Sequence, residues 1–241
     1  MNENKLDAIK LYADGAVLAD MIELYQSGRV DGFTTNPSLM KKAGVRNYNA
    51  FAKDVVSAIP DLPISFEVFA DTLEEMEAEA RIIATWGEHV FVKIPIMTTQ
   101  KVLTLPLIEK LSNDGISLNV TALFLVEHIQ ATVDAFAAGT RNIVSVFAGR
   151  IADTGRDPLE TMREAVAICQ AKEEAQLLWA STREVYNIVE AANIDCDIIT
   201  VPGPMLKTYY ENKGKDLGSY TLETVEGFYR DAKTLGYTIE G

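Results

Sequence analysis

Two hydrophobic rhythms alternate along the chain. Short runs dense in Val, Ile, Leu and Phe have the composition of strands buried on both faces. Between them, apolar residues recur at helical spacing, as they do along one face of a helix. The strand-like runs are Ile9 to Asp14, Asp31 to Ser38, Pro63 to Phe69, Val90 to Ile96, Ile116 to Phe124, Asn142 to Ala148, Gln176 to Ser181 and Asp197 to Val201. Helical patterns cover Val17 to Ser27, Tyr48 to Ala58, Thr72 to Trp86, Thr99 to Asn113, Val126 to Ala138, Pro158 to Ala171 and Thr182 to Ala192. Gly28 closes the first helix, Asp71 or Thr72 caps the third, and Asp157 caps the sixth. Pro106 either kinks the fourth helix or marks its start.

Eight strands alternating with helices, at intervals of about 25 to 35 residues, have the period of βα units. No linker, low-complexity stretch or shift of composition divides them. The expectation is a single (β/α)8 barrel domain over residues 1–241, with 205–241 as a helical extension. An open doubly wound sheet is the alternative, but the Gly-x-Gly-x-x-Gly turn that often follows its first strand is missing. The extra helix, Thr221 to Gly236, carries Leu222, Val225, Phe228, Tyr229, Ala232 and Leu235 on one stripe. Such a stripe needs a partner, either the chain's own barrel or a neighbouring subunit, and the second is favoured.

Composition narrows the function. Hydrophobic residues make up 48% and charged residues 24%, ordinary for a globular protein, and the formal net charge is −13. That charge argues against a nucleic-acid or anionic-membrane surface, but a few focused arginines could still hold a small anion. The two cysteines, Cys169 and Cys196, are expected to be free thiols in a reducing compartment. No apolar run approaches membrane-spanning length, and the N-terminal Met-Asn-Glu-Asn-Lys lacks signal-peptide character, so the expected location is cytoplasmic. Neither the cysteines nor the two histidines have metal-ligand spacing, and no metal or cofactor is expected.

The fourth strand, Val90-Phe91-Val92-Lys93-Ile94-Pro95-Ile96, places one lysine among six apolar residues. An ammonium belongs there only if it is paired, reaches a cavity or is made neutral. A neutral, desolvated lysine is a nucleophile that forms Schiff bases with ketones and aldehydes. Other strand ends are polar as well, and barrels bind ligands at the carboxyl ends of their strands. Read with period two, Lys93 shares a face with Phe91, Glu67 with Ser65, Thr121 with Asn119, Phe147 with Ser145, and Ser181 with Trp179. Asp14 ends the first strand and Asn36 the second. Together these predict one polar cavity with Lys93 as nucleophile, its pKa depressed by the apolar strand. Asp14 and Glu67 would shuttle protons, and Thr121 and Asn119 would hold water or sugar hydroxyls. That is the chemistry of a class I aldolase. Arg150 and Arg183, just after the sixth and seventh strands, would hold a phosphate or other anion.

Several motifs in this order resemble the transaldolases: Gly32-Phe33-Thr34-Thr35-Asn36-Pro37-Ser38, Val92-Lys93-Ile94-Pro95, Asn119-Val120-Thr121 with Phe124, Ser145 to Ile151, and Ala180-Ser181-Thr182-Arg183. The resemblance runs from Asp14 to about Pro202 and is to the compact subgroup, whose members often form decamers or other homo-oligomers. It implies a Schiff-base Lys93 and transfer of a dihydroxyacetone unit from a ketose phosphate, such as fructose 6-phosphate, to an aldose phosphate, such as erythrose 4-phosphate. It further implies that Asp14 takes the C4 hydroxyl proton and that Glu67 and Thr121 position a water. Asn36 and Asn119 would contact the dihydroxyacetone part, and Arg150, Ser181 and Arg183 would grip the phosphate. The related fructose-6-phosphate aldolases, which release free dihydroxyacetone, tend to carry Gln where this chain has Glu67 and Tyr where it has Phe147. Val201-Pro202-Gly203-Pro204 and the tail from Lys207 depart from the pattern and leave room for another anionic ketose, such as a sulfonated sugar. A non-catalytic sugar-phosphate-binding barrel is the rival from outside enzymology.

Overall fold

Buried β-branched strands that each lead into a helix close on themselves when there are eight of them. The computed structural model describes residues 3–236 and Ile239. Met1, Asn2, Tyr237, Thr238, Glu240 and Gly241 lie outside the described residues. The strands are β1 (Lys10–Asp14), β2 (Gly32–Thr34), β3 (Ile64–Glu67), β4 (Val90–Pro95), β5 (Leu118–Leu123), β6 (Asn142–Val146), β7 (Ala175–Trp179) and β8 (Ile198–Pro202). They run parallel in the order β1 to β8, and β8 pairs back onto β1. The expected (β/α)8 barrel is therefore the observed fold.

The helices are α1 (Glu3–Leu6), α2 (Leu18–Gln26), α3 (Pro37–Lys42), α4 (Tyr48–Ala58), α5 (Leu73–Ala84), α6 (Leu105–Asn113), α7 (Val126–Asp134), α8 (Ala148–Ala152), α9 (Pro158–Gln170), α10 (Asn187–Asn193), α11 (Gly203–Asn212) and α12 (Leu217–Leu235). Caps set several boundaries. Asn47 accepts the Ala50 N–H, Thr72 the Glu75 N–H and Asp157 the Leu159 N–H, each bond contributing about 1 kcal/mol. Pro106 sits in the first turn of α6, so it starts that helix rather than kinking it. The expected second strand is cut short because Asn36 caps α3 and Pro37 opens it. α8 likewise takes over the end of the expected sixth strand.

The chain forms two compact units, Met1–Leu206 and Lys207–Gly241. Within the first, inward side chains from neighbouring strands fill the barrel below the carboxyl ends of the strands. Tyr12, Phe91, Ile143, Leu178, Ala180 and Ile198 form one buried cluster against which Phe147 packs. Gly32 belongs to this layer: a Cβ there would meet the Tyr12 ring at 2.6 Å, so the absence of a side chain on β2 is what admits the tyrosine. In the second unit α12 runs from an Asp216 cap to a left-handed Gly236, and none of its residues is buried. Among the described residues no helix is long and apolar enough to cross a membrane.

Candidate active site

A cavity of about 480 Å³ lies where the strands end. Asp14, Asn36, Glu67, Lys93, Thr121, Ser145, Phe147, Arg150, Ser181 and Arg183 all line it. The register explains the convergence. Glu67 on β3 pairs with Lys93 on β4, and Lys93 pairs with Asn119 on β5, so the three stand at one level and point inward.

Lys93 is 6% exposed. Its Nζ lies 3.1 Å from Glu67 Oε2 and donates to the Thr35 carbonyl at 3.2 Å. Of the three ways an amine can be tolerated in an apolar strand, the structure shows pairing and access to a cavity. Glu67 is thus both the partner of the amine and the nearest base for its proton. Asp14 faces the same space. Burial pushes its carboxyl pKa above the ordinary range, and the Glu67 charge adds to the rise. The Lys93 charge and a hydrogen bond from Thr34 Oγ1 (2.8 Å) oppose it.

Thr121 Oγ1 is buried and has no hydrogen-bond partner among the described residues, although it lines the cavity. A hydroxyl in that position wants a water or a substrate oxygen. Its aim follows from a break in the β5–β6 register between Val120 and Leu123, where Ala122 takes a left-handed φ of 60°. Asn119 belongs to a polar network under the cavity. It is fully buried and absent from the lining: its Nδ2 donates to Ser65 Oγ (2.9 Å) and its Oδ1 accepts from Ser145 Oγ (2.6 Å). Its amide thereby links Ser65 to Ser145 beneath the cavity, with one N–H and one lone pair engaged in these two bonds. Asn36 accepts from Leu39 N with its oxygen, which leaves its NH2 for the cavity.

The seventh strand corrects the period-two reading. Leu178 and Ala180 face the cavity, whereas Trp179 is fully buried on the opposite side. Ser181 nonetheless reaches the cavity because it leaves the strand in a left-handed turn, φ 66°. Gly149 packs directly on that turn, and a Cβ there would stand 1.6 Å from the Ser181 carbonyl oxygen. The Arg150 and Arg183 loops are thereby held together. The Arg150 guanidinium lies 5.0 Å from the centroid of the Phe147 ring. Arg183 is gripped by Asp153, with Nε at 2.9 Å and Nη2 at 2.6 Å, an arrangement that lowers the Asp153 pKa and fixes the plane of the fork. Sequence reasoning missed Thr34 and Thr200, which line the cavity, and Asp153, which holds Arg183. Asp153 falls one helical turn after Arg150, and that spacing was the available signal.

Comparison with known proteins gives a consistent result. The family model described as transaldolase/fructose-6-phosphate aldolase matches residues 11–239. A "Probable transaldolase" of Caldicellulosiruptor saccharolyticus is 35% identical over 225 residues, covering 92% of this chain and 96% of the relative. A "Probable transaldolase" of Methanococcus maripaludis is 36% identical over 211 residues, covering 87% and 94%. Among solved structures, a dihydrodipicolinate synthase from Rhodopseudomonas palustris aligns with a TM-score of 0.56 at 12% identity, over 93% of this chain and 82% of that one. The last likeness concerns the fold alone.

Proposed function

The chain belongs to the transaldolase/fructose-6-phosphate aldolase family, and from that premise we propose that it transfers a dihydroxyacetone unit from a ketose phosphate to an aldose phosphate through a Schiff base on Lys93. The observation that carries this reading is the cavity-facing Lys93 amine, 3.1 Å from a carboxylate, with a second carboxylate lining the same cavity. Glu67 takes the ammonium proton, and the freed amine adds to the ketose C2. Water leaves as the iminium forms, with Glu67 and the unpartnered Thr121 hydroxyl beside it to move the protons. Asp14 then removes the C4 hydroxyl proton, the C3–C4 bond breaks, and its electron pair passes into the iminium to give an enamine. The aldehyde departs. An incoming aldehyde accepts the enamine carbon, Asp14 returns its proton to the new hydroxyl, and water releases the product ketose.

The raised Asp14 pKa suits this double duty, since a carboxyl that both takes and returns a proton works best near the operating pH. Arg150, Arg183 and the Ser181 turn, which line the same cavity as the amine, suit the anionic end of the sugar. Glu67 and Phe147 favour transfer over release of free dihydroxyacetone. We further propose a cytoplasmic homo-oligomer of carbohydrate metabolism, with the apolar side of α12 packed on another subunit, because Phe228 and Tyr229 are 70% and 62% exposed in the single chain.

The test is borohydride trapping with fructose 6-phosphate followed by peptide mapping. The expected adduct is on Lys93, and Lys93→Ala is expected to abolish turnover with the fold retained. An adduct elsewhere, or none, refutes the reading. Incubation with fructose 6-phosphate alone separates transfer from aldol release: a transferase liberates little dihydroxyacetone until an aldose is supplied, whereas an aldolase liberates it at once.

A further inference from the structure

Among the described residues, neither an arginine nor a backbone N–H hydrogen-bonds Asp14, though these are the usual ways to fix a carboxylate away from water. Its Oδ1 accepts from a single hydroxyl, Thr34 Oγ1, at 2.8 Å. That hydroxyl in turn lies 2.5 Å from Thr200 Oγ1, and either oxygen of the pair could be the donor. Thr34 and Thr200 are 3% and 5% exposed, and both line the cavity. The barrel register brings them together. Asp14 pairs with Thr34 on β2, and Tyr12, two residues below on the same face, pairs with Thr200 on β8. Thr200 is itself fixed from behind, since its carbonyl accepts from Thr182 Oγ1 at 2.7 Å.

A carboxylate can only accept a hydrogen bond, whereas a carboxylic acid must also donate one. Two hydroxyls in series serve both states. With Asp14 ionised, Thr200 donates to Thr34 and Thr34 donates to the carboxylate. With Asp14 protonated, the acid donates to Thr34, Thr34 donates to Thr200, and the Thr200 proton turns to the cavity. The hydroxyls rotate, and no proton crosses the pair in either direction. Resting on the proposed role of Asp14 as the proton acceptor in carbon–carbon cleavage, we propose that Thr200 is a positioning residue which, through Thr34, satisfies Asp14 in both of its protonation states. The charged groups that share the cavity with Asp14 are Glu67 on β3, Lys93 on β4, and Arg150 and Arg183 after β6 and β7. The facing residues of β2 and β8, Thr34, Thr200 and Pro202, do not titrate.

Thr200→Val keeps the shape and removes the relay's end. Thr34 can still donate to an ionised Asp14, but once Asp14 is protonated and donates to it, the Thr34 proton loses its acceptor in the protein and must turn to the cavity. Trading a fixed acceptor for the cavity is costly, so the variant disfavours the protonated form. The expected result is a kcat for transfer about tenfold lower and an acidic limb of the pH profile displaced toward lower pH. The rate of borohydride trapping on Lys93 stays unchanged. Thr200→Ser restores both rate and limb. An unmoved limb in Thr200→Val, or a Thr200→Ser that behaves like it, overturns the proposal and leaves Thr200 a packing residue. Should Thr200→Val fail to fold, Thr200→Cys, a weak hydrogen-bonding replacement of similar size, is expected to move the limb the same way, and a wild-type limb there is equally fatal. Failure of the underlying reading shows in a separate arm. Wild-type enzyme without a Lys93 adduct, or an Asp14→Asn variant that still cleaves, removes the function while the relay geometry stands.

Discussion

At the scale of single residues, the site joins groups that sequence could name to groups it could not. Lys93 stood out because an amine is out of place in Val-Phe-Val-Lys-Ile-Pro-Ile. Its partner Glu67 could be suspected from the same polar-on-apolar signal, but their 3.1 Å pairing is a fact of register. Asn119 carried that signal too, but its bonds to Ser65 and Ser145 were not legible, because pattern cannot tell which neighbours a buried polar group meets. Asp14 has a consequence for stability. Its carboxyl pKa is raised in the fold, chiefly by burial, so ionising it there costs free energy that the unfolded chain does not lose. The cost is absent below the unfolded pKa, where both states are protonated. It grows as pH rises and is fully present above the folded pKa. Asp14→Asn should therefore be inactive in transfer yet melt higher than the wild type near neutral pH, by about 2–4 °C for each kcal/mol recovered. Thermal melts across pH should show the gain vanishing on acidification, and a gain independent of pH would contradict the assignment.

At the scale of elements, the strands and most helices were legible because their period is written in side chains, as in α4 over Tyr48–Ala58. Short helices such as α3 and α8 were not, since caps and φ angles define them more than periodicity does. The phase of β7 was misread for a related reason. Ser181 reaches the cavity by a left-handed residue, and nothing in the alternation of Gln176 to Ser181 announces that turn. Gly149 is where the β6 and β7 loops meet. Gly149→Ala would drive a Cβ into the Ser181 carbonyl, and the backbone must give way. The expected outcome is a loss of about 1–3 kcal/mol in denaturant unfolding. The KM for phosphorylated substrates should rise several-fold, while borohydride still traps an adduct on Lys93. An unchanged KM would mean that the two arginine loops need not be held together to grip the anion.

At the scale of the whole molecule, barrel closure was readable because eight βα units admit few other arrangements, whereas assembly lay beyond pattern. An amphipathic stripe says that something covers it and not what. If α12 packs on another subunit, Phe228→Asp should weaken association by about thirtyfold or more, as loss of an interface hot spot does. Light scattering would then register a smaller particle, and an unaltered mass would place the contact elsewhere. The layer in which Tyr12 fills the space left open by Gly32 has a kinetic corollary. With that floor sealed, traffic has one doorway. If the chain runs the proposed transfer, the departing aldehyde must clear the threshold before its replacement can enter, so the two half-reactions alternate. Initial-rate plots at several donor concentrations should give parallel lines, and the first product should compete with the second substrate for the same berth.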